Sequence, residues 1–138
     1  MKLKDFPKNA SCDMSNGKPK AFEAGGGFCT IRFNIVPRME KTDDDEPKQV
    51  GYDYSEVHFA YNAQKGIKSE AKRNIINAAY TIDEEEALKH QADAVAAKII
   101  VDEQAEAKYL EFLQFRADID LMLNNIDIVE NEIFRIGY

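Results

Sequence analysis

Five groups of residues in this chain have types and spacings that chemistry could use. Four consecutive acids at 83–86 could gather a divalent cation, and so could "DDDE" at 43–46. Three glycines at 25–27 could wrap a phosphate, Cys12 and Cys29 could bind a metal or join, and His58 and His90 could move protons. Each chemistry also demands a context. A calcium loop needs a glycine and a closing glutamate at fixed offsets, which 43–46 lacks, so a solvated loop is expected there. A phosphate loop leads from a strand into a helix through Gly-Lys-Ser/Thr or GxGxxG, whereas 25–27 runs into the strand-like "FCTIRF". A flexible turn is the expectation. The cysteines form no CxxC pair and have no nearby histidine, so they read as free thiols.

The acids at 83–86 follow "AYT", and "TIDE" is a capping box. The Thr81 hydroxyl can accept from the amide of Glu84, and the Glu84 carboxylate can reach back to the amide of Thr81. Asp83, Glu84 and Glu85 then complement the exposed amides of a first helical turn. Four successive acids on a helix fan out around its axis and do not converge on one ion. Neither histidine has a partner motif, and HExxH, GxSxG and Walker sequences are absent. No catalytic, cofactor-binding or metal residue is assigned, no cofactor is expected, and a non-enzymatic protein is the expectation.

The elements carrying these groups divide in two. All four prolines and five of the seven glycines precede residue 52, and none lies between Gly66 and Gly137. Glycine and proline punctuate turns and interrupt helices, so the first part reads as strands and loops and the second as helices. The expected fold is α+β: a small N-terminal antiparallel β unit of two to three strands in residues 1–62, with a flexible start. Two to three α-helices then form a helical hairpin or bundle in 63–138, and the two parts make one combined domain.

In the β unit, Cys29, Ile31, Phe33 and Ile35 alternate with Thr30, Arg32 and Asn34, a strand pattern that Pro37 should end. After a long acidic loop, Tyr52 and Tyr54 share one phase while Val57, Phe59 and Tyr61 take the other. A bulge near Ser55 and Glu56, or a change of strand partner there, would reconcile the two. "KAFEAGGGF" can add a third strand.

Among the helices, Ile67, Ala71, Ile75 and Ala78 recur at helical spacing, with Ser69 as N-cap. Leu88, Ala92, Val95 and Ile99 form a second stripe. Asp102 can cap a further helix, so two helices joined by a short turn are expected over this stretch. The last helix carries two neighbouring apolar rows: Leu110, Leu113, Ala117 and Leu121, and Phe112, Phe115, Ile119 and Met122. "LQFRADIDL" also alternates like a strand, but its context favours helix. So wide an apolar surface exceeds what one helical neighbour covers. Tyr109, Leu110, Phe112, Leu113, Phe115, Ile119 and Met122 are therefore the candidate interaction surface, toward the β unit, a partner, or both. The tail "IDIVENEIFRIGY" should dock.

Composition narrows the classes. Apolar residues make up 44%, with 8 Phe and 6 Tyr, enough for a core. No apolar run approaches the roughly 18 residues of a membrane span, and "MKLKDFPKNASCD" has no apolar stretch typical of a signal peptide. Residues 83–138 hold 5 Lys/Arg against 14 Asp/Glu, and this acidic half should repel nucleic acid.

The order of motifs resembles a loose group of small proteins encoded by tailed phages and prophages. Tyr52, Tyr54, Glu56 and Val57 match its strand motif, Tyr80, Thr81, Asp83 and Glu84 its helix start, and Tyr109, Phe112, Phe115 and Arg116 its last helix. The resemblance spans roughly residues 29–120; the segment "KHQADAVAAKIIVDEQAEA" is longer than the group's pattern. It implies protein–protein association in a phage tail or its assembly, with a phage structural protein as partner and homo-oligomers allowed, in the host cytoplasm or the virion. A ligand- or divalent-metal-binding regulator using the acidic loop and the tyrosines is the alternative.

Overall fold

The computed structural model describes residues 1–128 except 42, 44, 45, 63, 100 and 101. Its described residues form four strands, β1 (Ala10–Asp13), β2 (Phe22–Gly25), β3 (Phe28–Lys41) and β4 (Pro47–Ala60). Three α-helices follow: α1 (Ile67–Ala79), α2 (Ile82–Ala96) and α3 (Glu103–Asn124). The strands make one antiparallel sheet in the order β1-β4-β3-β2, so the fold is α+β with one strand more than the two to three expected. The additional strand is β1, whose Ala-Ser-Cys-Asp alternates but is only four residues long, too short a run to announce it. It is held by close approach: a Cβ on Gly51 of β4 would lie 2.0 Å from the Cys12 carbonyl oxygen. The β2–β3 turn uses Gly26 and Gly27, both at positive φ (61° and 83°), as a two-residue hairpin with the sheet's twist requires.

Pro37 does not end β3. It pairs with Tyr52, and the strand continues to Lys41. β2 reaches only as far as Ile31, so β3 has no sheet neighbour on that side at Pro37 and its missing N–H costs no ladder bond there. β3 ends at Lys41 and β4 already begins at Pro47, so the strands take up part of the tract expected to be loop.

The expected bulge near Ser55 and Glu56 lies instead on the facing strand. Asn34 and Ile35 of β3 together oppose Tyr54, with Asn34 left-handed at φ 52°, a conformation asparagine tolerates. A second shift leaves Val50 of β4 extra between the Arg38–Gly51 and Met39–Gln49 pairs. The apparent phase change along β4 has another cause: both faces of the sheet are covered. Val57 and Phe59 face the helices, with Ser55 in phase with them. Tyr54 is buried outside that core, in a hollow lined by residues of the 16–20 segment and by Arg32.

The core joins the sheet to the helices. Cys29, Ile31 and Phe33 of β3, with Phe22, Val57 and Phe59, meet Ile67, Ala71, Ile75 and Ile76 of α1 and Phe112, Phe115, Ile119 and Leu123 of α3. Ile35, expected inward, is only half-buried because the bulge shifts its phase. Leu3 and Phe6 close the core, Phe6 lying 5.1 Å from Phe33, and the Asn34 amide donates to the Leu3 carbonyl at 2.8 Å. Cys29 pairs with Phe59 and Cys12 with Tyr52, seven positions apart along β4. At about 3.3 Å per residue that separation far exceeds disulfide reach. Both thiols are free.

Helix α1 starts at Ile67 behind Gly66, two residues before Ser69, which therefore caps nothing. Its inner stripe takes Ile76, while Ala78 is exposed. Thr81 caps α2 as expected, accepting from the Glu84 amide at 3.1 Å. Among the described residues, Glu84 makes no reciprocal bond and lines a hollow beside Tyr80 instead. Ile126 and Ile128 pack against the core; residues 129–138 of the tail expected to dock lie outside the described residues.

Candidate interaction surface

Helix α3 is built to present two faces. Asp102 caps it, accepting from the amides of Gln104 (3.0 Å) and Ala105 (3.1 Å), and Glu103 and Glu106 complement its first turn. With no breaker before Asn124 it runs 22 residues, about 33 Å. Helix, not strand, is the state of "LQFRADIDL".

The candidate residues separate by row. Phe112, Phe115 and Ile119 lie in the chain's own core, packed toward the β unit, one of the alternatives expected, and are not open to a partner. The reason is packing: the sheet and α1 together are wide enough to cover one full row. Tyr109 and Met122 sit on the shoulders, half-buried against that core. Leu110 and Leu113 remain outside, 56% and 40% exposed, and Leu121, 64% exposed, continues their row through Ala117. At 100° per residue these four positions centre nearly opposite the buried row.

The row has charged flanks that sequence reasoning did not assign to it. On one side α1 contributes Lys72, 2.8 Å from Asp120, and Lys68, 3.1 Å from the neutral amide oxygen of Asn124. The four-residue spacing of the two lysines was the available signal. On the other side runs the N-terminal segment, with Lys2 beside Leu110 and Lys4 beside Leu121. The Met1 ammonium pairs with Glu111 at 2.7 Å and donates to the Tyr80 hydroxyl at 2.5 Å.

The remaining polar groups are arranged for structure. A surface hollow of ≈ 340 Å³ between α2 and α3 is lined by Tyr80, Glu84, Leu88, Lys108 and Glu111, among others. Burial, and then the charges of Glu111 and Glu84, push the Tyr80 phenol up, which keeps it protonated; the adjacent ammonium's hydrogen bond holds Glu111 down. On the sheet's far face Arg32 bridges Glu23 and Glu56, each at 2.8 Å, and stands over the Tyr54 ring. Burial pulls its guanidinium down, but the hydrogen bonds to Glu56 and Glu23 outweigh that and leave it raised. His58 pairs with the Thr30 hydroxyl at 2.7 Å and stacks on Phe28. His90 is exposed on α2.

Asp43 and Glu46 flank Asp44 and Asp45, which lie outside the described residues. Tyr54 lies seven residues along β4 from its start at Pro47, about 23 Å of extended chain from the strand end next to Glu46. Among the described residues no group of three or more His, Cys, Asp or Glu is placed to hold a metal ion. No described helix is long and apolar enough to cross a membrane. Comparison with protein-family models, with curated proteins and with solved structures returns no match in any of the three.

Proposed function

We propose that this chain is a non-enzymatic, phage- or prophage-related protein that acts through protein–protein association. It serves as a tail structural or tail-assembly accessory protein, in the host cytoplasm or the virion. The observation that carries the reading is the outer row of α3: Leu110, Leu113 and Leu121 stay open to solvent on a helix whose opposite face is fully covered. Contiguous exposed apolar surface of this kind marks a contact region on a protein otherwise 31% charged. The motif order over residues 29–120 supports the phage context.

The test is co-expression of the tagged full chain with the structural proteins encoded beside it, followed by affinity capture. A tail protein should be retained by the parent chain and lost with Leu113→Asp. Equal retention by both, or no tail protein with either, overturns the reading.

A further inference from the structure

We infer that the outer face of α3 docks a second copy of this chain, antiparallel and across a two-fold axis. This rests on the reading of that face as an association surface and names its occupant. The face is self-complementary end for end. Among the described residues, Glu103 and Glu106 at its N-terminal end form no ion pair, and Lys68 at its C-terminal end bonds the neutral oxygen of Asn124 and no carboxylate. Asp120 is already matched by Lys72. On the other flank, Met1, Lys2 and Lys4 stand near Glu111 and Asp118, the last of which accepts from Gln114 and forms no ion pair among the described residues.

Laying Leu110 of one copy over Leu121 of the other puts Glu106 opposite Asn125 and beside Lys68 of the second copy, twice by symmetry. The same register sets Gln114 against Ala117 at the crossing, small enough for the helices to approach to about 8–10 Å. It brings Lys2 toward the Asp118 end and opposes the two helix dipoles. A parallel pairing would instead set Glu103 and Glu106 against their own copies. Three partly exposed leucines per copy place the contact below the ~800 Å² per partner of a standard interface, so the dimer is concentration-dependent.

Sedimentation of the full chain from about 1 μM to about 1 mM tests this. The parent should pass from monomer to dimer, and Leu121→Asp should weaken the dimer at least about tenfold. Glu106→Lys and Lys68→Glu should each weaken it about two- to fivefold, and the double variant should restore it. Within one chain the two sites are held roughly 27 Å apart along α3, so restoration requires contact between copies. All these positions are at the surface, and unchanged circular dichroism verifies folding. Failure of the double variant to restore the dimer overturns the proposal, as does a dimer indifferent to Leu121→Asp. A parent monomeric throughout, whose capture of a tail protein is still abolished by Leu113→Asp, overturns self-pairing and keeps the association surface.

Discussion

Replacing Phe115 with Ala should cost several times more stability than replacing Leu121 with Ala, although both are large apolar residues of one helix. Phe115 is 1% exposed, and its ring lies 5.6 Å from that of Tyr80. Transfer of such a side chain from water is worth about 1.5–3 kcal/mol. The cavity left between sheet and helices raises the cost of Phe→Ala to about 3–5 kcal/mol. Leu121 keeps 64% of its surface in water. Only about a third of the ~2–5 kcal/mol of a buried Leu→Ala change is then at stake, and no closed cavity forms. Alanine's better helix propensity returns a few tenths, leaving about 0.5–1 kcal/mol. Urea unfolding followed by far-ultraviolet circular dichroism, at a concentration where the parent is monomeric, measures both. If Phe115→Ala cost less than about 1.5 kcal/mol, or Leu121→Ala cost as much, α3 would be rotated from the orientation argued above and the outer row would be the buried one.

Thiol reactivity should separate the cysteines: Cys29 is wholly buried and burial pushes its thiol up, while Cys12 is half-exposed, so a disulfide reagent should label one thiol in the folded chain and two in denaturant. Two fast-reacting thiols in the folded chain would contradict the burial of Cys29. Gly51→Ala should destabilise by about 1–3 kcal/mol and speed the labelling of Cys12, because its Cβ meets the Cys12 carbonyl and β1 must move; an unchanged melting temperature would contradict that contact. Tyr80 is raised by burial first and by Glu111 and Glu84 next. Its stabilising share should be whole below the unfolded pKa of about 10 and be lost as pH rises through the higher folded value. Tyr80→Phe should flatten that alkaline decline, and identical pH profiles for both chains would refute the assignment.

What the sequence made legible was local. Thr81 and Asp102 announce their helices because a cap is a bond between neighbours along the chain, and the two rows of α3 follow from spacing alone. Which row would be buried was not legible, since that depends on how much surface the sheet and α1 bring to it. Pro37 misled for the same reason: proline is forbidden only where a neighbouring strand needs its N–H, and β2 stops short of it. The change of phase at Tyr54 suggested a bulge on β4, but it reflects burial on both faces of that strand, while the extra residue at this point lies on β3. Lys68 and Lys72 reached the candidate surface through the packing of α1 on α3, a contact across about 50 residues that no local pattern encodes.

The same packing explains why association should use a helix face and not a sheet edge. β1 and β2, the outer strands, are four residues long and offer little backbone for a visiting strand. Where β3 runs beyond β2, its free side carries the Asn34 bulge and then Pro37; where β4 runs beyond β1, it begins at Pro47 and bulges at Val50. Glu40, Lys41 and Lys48 charge the remainder of that arm. Each device spoils strand addition where it stands. The apolar side chains left open on α3 have no comparable guard: no proline interrupts them, and the nearest charges on α1 stand beside the row and do not cover it. These guarded stretches, beside an open leucine row on α3, are why association is expected at the helix among the described residues.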